Sequence, residues 1–260
     1  MKLVMYGPSF VGKTAFMAKG YGLMNKGLNS WLGPDIVLKG SPVLKDMYRD
    51  MERGRYPDMT SQLGTYELHL KRGLRNVMDF TWVDIRGGSI HERGTFERAR
   101  VESELFNADA LMLFLSSPDL AAAGPSEALD IARDIAELLE TAERFARGKS
   151  YFKIYMVLTK ADLIDASDKE RIDVILSAAL AGTEELDGYL FYVTCERSGI
   201  AHSPDVVMYA VLLDGLYRLI ENGYDKRKVV KTADRLSDWI AEETGDYAWR
   251  VEFTERTGRA

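Results

Sequence analysis

The residues near the start of the chain have the types and spacing needed to bind phosphate. Residues 7–14 read Gly-Pro-Ser-Phe-Val-Gly-Lys-Thr, a G-x-x-x-x-G-K-T pattern that directly follows the apolar residues 3–6. The glycines let backbone N–H groups turn toward a phosphate, the lysine reaches the β- and γ-phosphates, and the threonine hydroxyl ligates Mg²⁺. The pattern predicts a nucleoside triphosphate site with these contact residues: Gly7, Ser9, Phe10, Val11, Gly12, Lys13, Thr14 and Ala15.

A second motif ends a later apolar run. Residues 80–87 read Phe-Thr-Trp-Val-Asp-Ile-Arg-Gly, so the run closes in D-x-x-G. In a P-loop protein, the aspartate at this strand end holds Mg²⁺ through water, and the glycine N–H contacts the γ-phosphate. Asp84 is therefore a candidate metal residue beside Thr14, and Gly87 is a candidate catalytic residue beside Lys13.

A third motif indicates which base is bound. Thr159, Lys160 and Asp162 form T-K-x-D at the end of the apolar residues 154–158. A carboxylate in this place can accept two hydrogen bonds from the N1 and N2 donors of guanine, while the lysine stem lies along the base. Adenine cannot satisfy that carboxylate, so the motif predicts a guanine nucleotide.

In this order, the three motifs resemble those of the Ras-like class of P-loop GTPases, over about residues 2–221. The chain also resembles the bacterial double-GTPase group, through the order of its motifs and a long segment before Thr60. The Ras-like class also carries a short motif after its last strand, whose backbone N–H contacts guanine O6. The resemblance implies that Thr194, Cys195 and Glu196 are that motif in this chain.

The resemblance further implies a threonine that contacts both Mg²⁺ and the γ-phosphate from a loop before the second strand. Thr60 is the candidate for this metal and catalytic role, and Ser61 and Thr65 are the alternatives. Gly88 occupies the position directly after D-x-x-G, where small GTPases commonly have a glutamine that orients the attacking water. Because glycine has no such side chain, the resemblance implies slow or partner-stimulated hydrolysis.

Apolar runs alternate with segments of helical period, which predicts an α/β fold of the P-loop NTPase type with three layers, α/β/α. The sheet is expected to have six mostly parallel strands, and a hairpin supplies one antiparallel edge strand. The predicted strands are 2–6, 65–70, 76–84, 110–115, 152–158 and 190–194. The predicted helices are 13–24, 91–106, 126–147, 169–181 and 203–221, with a shorter one near 42–53.

Two units are expected along the chain. Residues 1–222 form the Ras-like GTP-binding domain, with a long insertion at about 27–58. Residues 223–260 form a C-terminal extension with a helix and a short tail. Within it, an apolar stripe at helical spacing predicts a helix docked on the domain, with a partner-binding tail as the alternative.

Composition limits the remaining possibilities. A net charge of −6 argues against direct binding of nucleic acid, and no apolar stretch is long enough to span a membrane. The single cysteine excludes an intrachain disulfide, and the first strand begins where a signal peptide would lie, so a cytoplasmic location is expected.

The sequence as a whole predicts a protein that binds GTP and GDP with Mg²⁺ and acts as a switch for a protein effector or an activating partner. Its oligomeric state stays open. Two alternatives remain from the residues alone. A P-loop ATPase or nucleotide kinase would keep residues 7–14, and a non-hydrolysing GTP-binding scaffold would be consistent with Gly88.

Overall fold

The computed structural model describes residues 1–31, 36–40, 42–57, 64–85, 95–147, 149, 152–181, 187–195 and 201–221. In these parts, one sheet is covered by helices on both faces. Its strands are β1 (Lys2–Tyr6), β2 (Ile36–Lys39), β3 (Gly64–Arg72), β4 (Arg75–Asp84), β5 (Ala110–Ser116), β6 (Lys153–Thr159) and β7 (Asp187–Tyr192). The helices are α1 (Lys13–Trp31), α2 (Pro42–Met51), α3 (Thr95–Phe106), α4 (Ser117–Ala122), α5 (Pro125–Ala146), α6 (Ala166–Leu180) and α7 (Pro204–Glu221).

The strand order is β2-β3-β4-β1-β5-β6-β7. Neighbours are parallel from β4 through β1, β5 and β6 to β7, and β3 is antiparallel to both β2 and β4. This confirms the predicted mostly parallel α/β class and the hairpin. It corrects the count of six strands to seven, because β2 lies outside β3 and forms the edge of the described sheet. A four-residue strand is too short to show a clear alternating pattern.

Alternating side chains of β1 divide between two apolar cores, as strand geometry requires. Leu3 and Met5 pack in a core that also contains residues of α1, α2 and α7. Val4 and Tyr6 pack in a second core with residues of α5 and α6. The helices therefore lie on both faces of the sheet, and the three predicted layers are present.

Three helices differ from the sequence prediction for local reasons. Helix α1 continues to Trp31, beyond the predicted end at residue 24, because Asn25 and Gly27 are poor helix formers that weaken the helical pattern there. The predicted set omits α4, because a six-residue helix gives little periodic signal. Helix α6 begins at Ala166 rather than 169, because Asp165 and Asp168 cap it reciprocally. This capping box has aspartate at its third helical position, where glutamate or glutamine is the usual sign.

The division into residues 1–222 and 223–260 stays a prediction, since the C-terminal extension lies outside the described residues. None of the helices in the described ranges combines the length and the apolar character needed to cross a bilayer.

Candidate functional site

The loop between β1 and α1 has the backbone that a phosphate cradle needs. Gly7 and Gly12 have φ values of +155° and +92°, and Phe10 also has a positive φ of 63°. A Cβ atom at Gly7 would lie 2.3 Å from the carbonyl oxygen of Phe114, so the loop passes directly over β5. At Gly12 a Cβ would meet nothing within 4 Å, so glycine is favoured there by the backbone angle alone.

Lys13 extends back over this loop. Its Nζ donates to the carbonyl oxygens of Gly7, at 2.8 Å, and Pro8, at 2.9 Å. Burial lowers the pKa of Lys13, and the charge of Asp84 acts in the opposite direction. Because an ammonium has three donors, these two contacts leave a third donor for a phosphate oxygen.

Two oxygen groups meet at the start of α1. The Thr14 Oγ1 donates to Asp84 Oδ2 at 3.3 Å. Asp84 is fully buried at the end of β4, next to Met5 of β1. A hydroxyl and a carboxylate are the donors that Mg²⁺ prefers, so these two side chains fit the predicted metal. In the described ranges, no group of three or more histidine, cysteine or acidic residues could hold a metal, so such an ion would need phosphate and water oxygens as well.

The T-K-x-D segment follows β6 and is tied to the phosphate loop. The Thr159 hydroxyl is buried, 2.6 Å from the carbonyl oxygen of Val11 and 3.1 Å from that of Leu115. Lys160 has a left-handed backbone, with φ 55° and ψ 34°, and leads into a 3₁₀ turn at Ala161–Leu163. Thr159 thus connects the two predicted nucleotide-binding loops, a role that the sequence pattern does not reveal.

The segment after β7 lies against this turn. Ala161 N–H donates to the carbonyl of Val193 at 3.1 Å, and Val193 N–H donates to that of Leu158 at 2.7 Å. Burial raises the pKa of the Cys195 thiol to about 11, Lys19 lowers it, and Asp162 adds to the increase. The two backbone hydrogen bonds hold the segment after β7 against the turn that contains Asp162.

Several predicted residues lie outside the described parts of the chain: Thr60, Ser61, Gly87, Gly88 and Glu196. Their roles stay predictions. Thr65, the remaining alternative to Thr60, is exposed and lies in β3, paired with Val83.

Tyr66 is a neighbour of the site that the sequence does not identify. Burial raises the pKa of its phenol, and the negative charge of Asp84 contributes to the increase. The alternation of β3 predicts which residues share a face with Tyr66, but no sequence pattern places this phenol near Asp84.

No family model and no curated protein matches this sequence. Among solved structures, the chain is similar to translation elongation factor SelB from Methanococcus maripaludis in complex with the GTP analogue GppNHp. The identity is 14%, the TM-score is 0.46, and the match covers 86% of this chain and 34% of that one. The chain therefore spans about a third of the elongation factor.

Two further similar structures are described as bound to GTP. One is the signal recognition particle receptor SRb-GTP/SRX complex from Chaetomium thermophilum, at 16% identity and a TM-score of 0.45, covering 77% of this chain and 93% of that one. The other is the GTPase-like domain of S. cerevisiae Ski7 bound to GTP, at 14% identity and a TM-score of 0.46, covering 82% and 49%. The sheet order and the phosphate loop, rather than these scores, carry the assignment to the P-loop α/β fold.

Proposed function

We propose that this protein binds guanine nucleotides with Mg²⁺ and hydrolyses GTP slowly, or faster with a partner, as a nucleotide-dependent switch. One observation supports the proposal above others: four segments meet at the carboxyl ends of neighbouring parallel strands. The phosphate loop follows β1, Asp84 ends β4, T-K-x-D follows β6, and Thr194 and Cys195 follow β7. Ligands of open α/β sheets bind at such edges.

At the phosphate end, the loop N–H groups and the third donor of Lys13 would bind the β- and γ-phosphates. Thr14 and Asp84 would hold Mg²⁺. When bound, the ion would neutralise charge on the phosphates. Lys13 and Thr14 are consecutive residues at the start of α1, and the Thr14 hydroxyl contacts Asp84. The ammonium and the carboxylate would therefore lie near the same triphosphate.

At the base end, Asp162 would accept hydrogen bonds from guanine. The hydroxyl contact between Thr159 and Val11 would keep the base-binding turn at a fixed distance from the phosphate loop. Specificity would follow because adenine presents no matching pair of donors to a carboxylate. The affinity for GTP relative to ATP tests this part of the proposal, and equal affinities would favour a P-loop ATPase or nucleotide kinase.

Hydrolysis would depend on Gly87 and Thr60, with no side chain at Gly88 to orient water. Phe10 adds a second departure, since this residue of the phosphate loop is 74% exposed and would limit how an arginine from a partner approaches. The proposed switch would couple the state of the γ-phosphate to the segment around Thr60 and Gly87, and so to a protein partner.

Single-turnover hydrolysis of bound GTP, measured with and without a candidate partner, tests the switch. We expect slow release of phosphate by the protein alone, acceleration by an activating partner, and a difference in effector affinity between the GTP and GDP forms. A non-hydrolysing scaffold, the alternative that Gly88 favours, would release no phosphate and would bind every partner equally in both forms.

A further inference from the structure

A second concave site lies away from the predicted nucleotide residues. A cavity of about 900 Å³ opens between α1, β2 and α2, and we call it the α1–α2 pocket. Buried apolar surface from Tyr21, Leu38 and Tyr48 forms its floor. Its lining also includes five cationic residues and one carboxylate: Lys26, Lys39, Lys45, Arg49, Arg53 and Glu52.

The one carboxylate that lines the pocket, that of Glu52, already contacts two lysines. Glu52 lies 2.9 Å from Lys19 Nζ and 3.4 Å from Lys26 Nζ, and its pKa is lowered chiefly by the hydrogen bond from Lys19. By contrast, no carboxylate of the described residues lies within 4.0 Å of Lys39 or Lys45. These two exposed ammonium groups therefore give the pocket a positive field, in a chain whose net charge is −6.

Each of the two arginines that line the pocket lies near an aspartate three residues earlier in the chain, which partly neutralises its charge. Arg49 lies 3.4 Å from Asp46 and Arg53 lies 3.9 Å from Asp50. Such exposed pairs are weak and are screened by salt, so an incoming carboxylate can compete for these guanidinium groups. The pocket therefore presents hydrogen-bond donors to a ligand that is rich in acceptors.

The wall formed by β2 distinguishes between anionic ligands. Within the described sheet, β2 pairs with β3 on one side and has no strand on the other. An open strand edge offers alternating N–H and C=O groups, which a polypeptide can match and a phosphate backbone cannot. The apolar floor likewise suits side chains that alternate with the acidic ones along an extended strand.

We propose that the α1–α2 pocket binds an acidic, extended segment of a protein partner. The segment would add its backbone along β2, place apolar side chains on the floor beside Leu38, and present the alternating carboxylates on the face of the strand that carries Lys39. A carboxylate beyond the paired residues would meet Lys45 of α2. This inference is independent of the proposed nucleotide function, because none of its residues belongs to the predicted nucleotide site.

Fluorescence anisotropy of the full chain with a labelled acidic peptide tests this proposal. The peptide alternates glutamate with valine and leucine over nine residues, and its control has glutamine in place of every glutamate. The variant K39E/K45E reverses two exposed charges of the pocket. The matched control R133E/R144E reverses two exposed charges on α5, which packs on the opposite face of the sheet.

We expect the acidic peptide to bind the natural chain and the control variant equally, and K39E/K45E at least about tenfold more weakly. Its affinity should fall as salt rises, and the neutral peptide should bind more weakly than the acidic one. The variant K39Q/K45Q removes the two charges without reversing them, so its affinity for the acidic peptide should lie between those of the natural chain and K39E/K45E. This order would show that the weaker binding of K39E/K45E does not result from misfolding.

Several results would overturn the proposal. These are no binding of the acidic peptide to the natural chain, equal binding to the natural chain and both pocket variants, or equal binding of the neutral peptide. A twelve-residue thymidine oligonucleotide that binds more tightly than the peptide, and loses affinity in K39E/K45E, would assign the pocket to nucleic acid instead.

Discussion

At the scale of single residues, the choice of base depends on one carboxylate. Asp162 lies in the exposed 3₁₀ turn after β6, so replacing it with the isosteric amide should leave the fold unchanged. In Asp162→Asn, the amide would offer a donor where guanine also has a donor. We expect the affinity for GTP to fall by about a hundredfold or more and the affinity for xanthosine triphosphate to rise.

Competition of GTP and xanthosine triphosphate for a fluorescent nucleotide analogue measures that change. Asp168→Asn is a suitable control, since its carboxylate caps α6 and does not belong to the predicted site. Unchanged guanine preference in Asp162→Asn would remove Asp162 from the site.

The reaction rate of the Cys195 thiol reports how far that thiol is buried beside the 3₁₀ turn at Ala161–Leu163. Because burial raises its pKa from 9.0 to about 11, a smaller fraction of the thiol is ionised at pH 8.5 than in an unfolded chain. Only the thiolate reacts with iodoacetamide, so we expect alkylation of the folded protein to be slower by about tenfold or more. The chain has one cysteine, so the mass increase reports this residue alone.

The same protein unfolded in urea is the control for that measurement and should react at the rate of a free cysteine. Equal rates in the folded and unfolded chains would show that Cys195 is exposed, and would contradict its position beside the turn at Ala161–Leu163.

At the scale of the elements, the close contact between α1 and α2 depends on Gly22, because a glycine has no side chain to separate the two helices. A Cβ at Gly22 would lie 2.1 Å from Cγ of Tyr48, whose ring packs on α1. At Gly20, in the same helix, the closest approach of a Cβ would be 2.9 Å to the flexible side chain of Met208, and Pro204 Cβ would lie at an ordinary contact distance of 3.4 Å. Overpacking costs about 1–3 kcal/mol, against a gain of about 1 kcal/mol when alanine replaces glycine in a helix.

Three ring carbons of Tyr48 would lie 2.1–2.4 Å from a Cβ at Gly22, so the overpacking cost there should fall in the upper part of this range. We therefore expect Gly22→Ala to lower the free energy of unfolding by about 1–2 kcal/mol, and to lower it more than Gly20→Ala does. Urea unfolding of the two variants measures the difference, and both share the same gain in helix propensity. A Gly22→Ala protein as stable as the natural one would contradict the close packing of Tyr48 on α1.

The elements that the sequence predicts and those that it misses differ in length and in the range of their contacts. Strands β5 and β6 each have seven residues, mostly apolar and all buried, and the sequence predicts both. Strand β2 and helix α4 have four and six residues and carry too little pattern to be recognised. Their placement is decided by pairing with β3 and by packing, which local sequence does not encode.

The candidate site likewise contains some residues that the sequence predicts and some contacts that only the fold reveals. The sequence motifs predict that Lys13, Thr14, Asp84 and Asp162 carry the chemistry, because each lies at or just after the end of a predicted strand. Spacing does not predict that the Thr159 hydroxyl contacts the carbonyl of Val11, since these residues are 148 positions apart and only the sheet brings them together. The nearness of Tyr66 to Asp84 likewise needs the β3–β4 pairing.

At the scale of the whole molecule, two surfaces could communicate through one helix. Helix α1 begins at Lys13 of the phosphate loop, and four of its residues line the α1–α2 pocket: Tyr21, Gly22, Asn25 and Lys26. A partner bound in that pocket would therefore contact the same rigid element that begins at the phosphates. The predicted nucleotide site and the α1–α2 pocket therefore share helix α1, although each proposal can be tested without the other.

The most direct test of the central claim is selective loading of the nucleotide-free full chain. The protein is incubated with equal concentrations of GTP and ATP in Mg²⁺, separated from free nucleotide, and its bound nucleotides are quantified by chromatography. We expect guanine nucleotide to exceed adenine nucleotide by at least about tenfold, and the folded Lys13→Ala variant to retain neither. Equal amounts of the two nucleotides, or an excess of adenine nucleotide, would contradict the account.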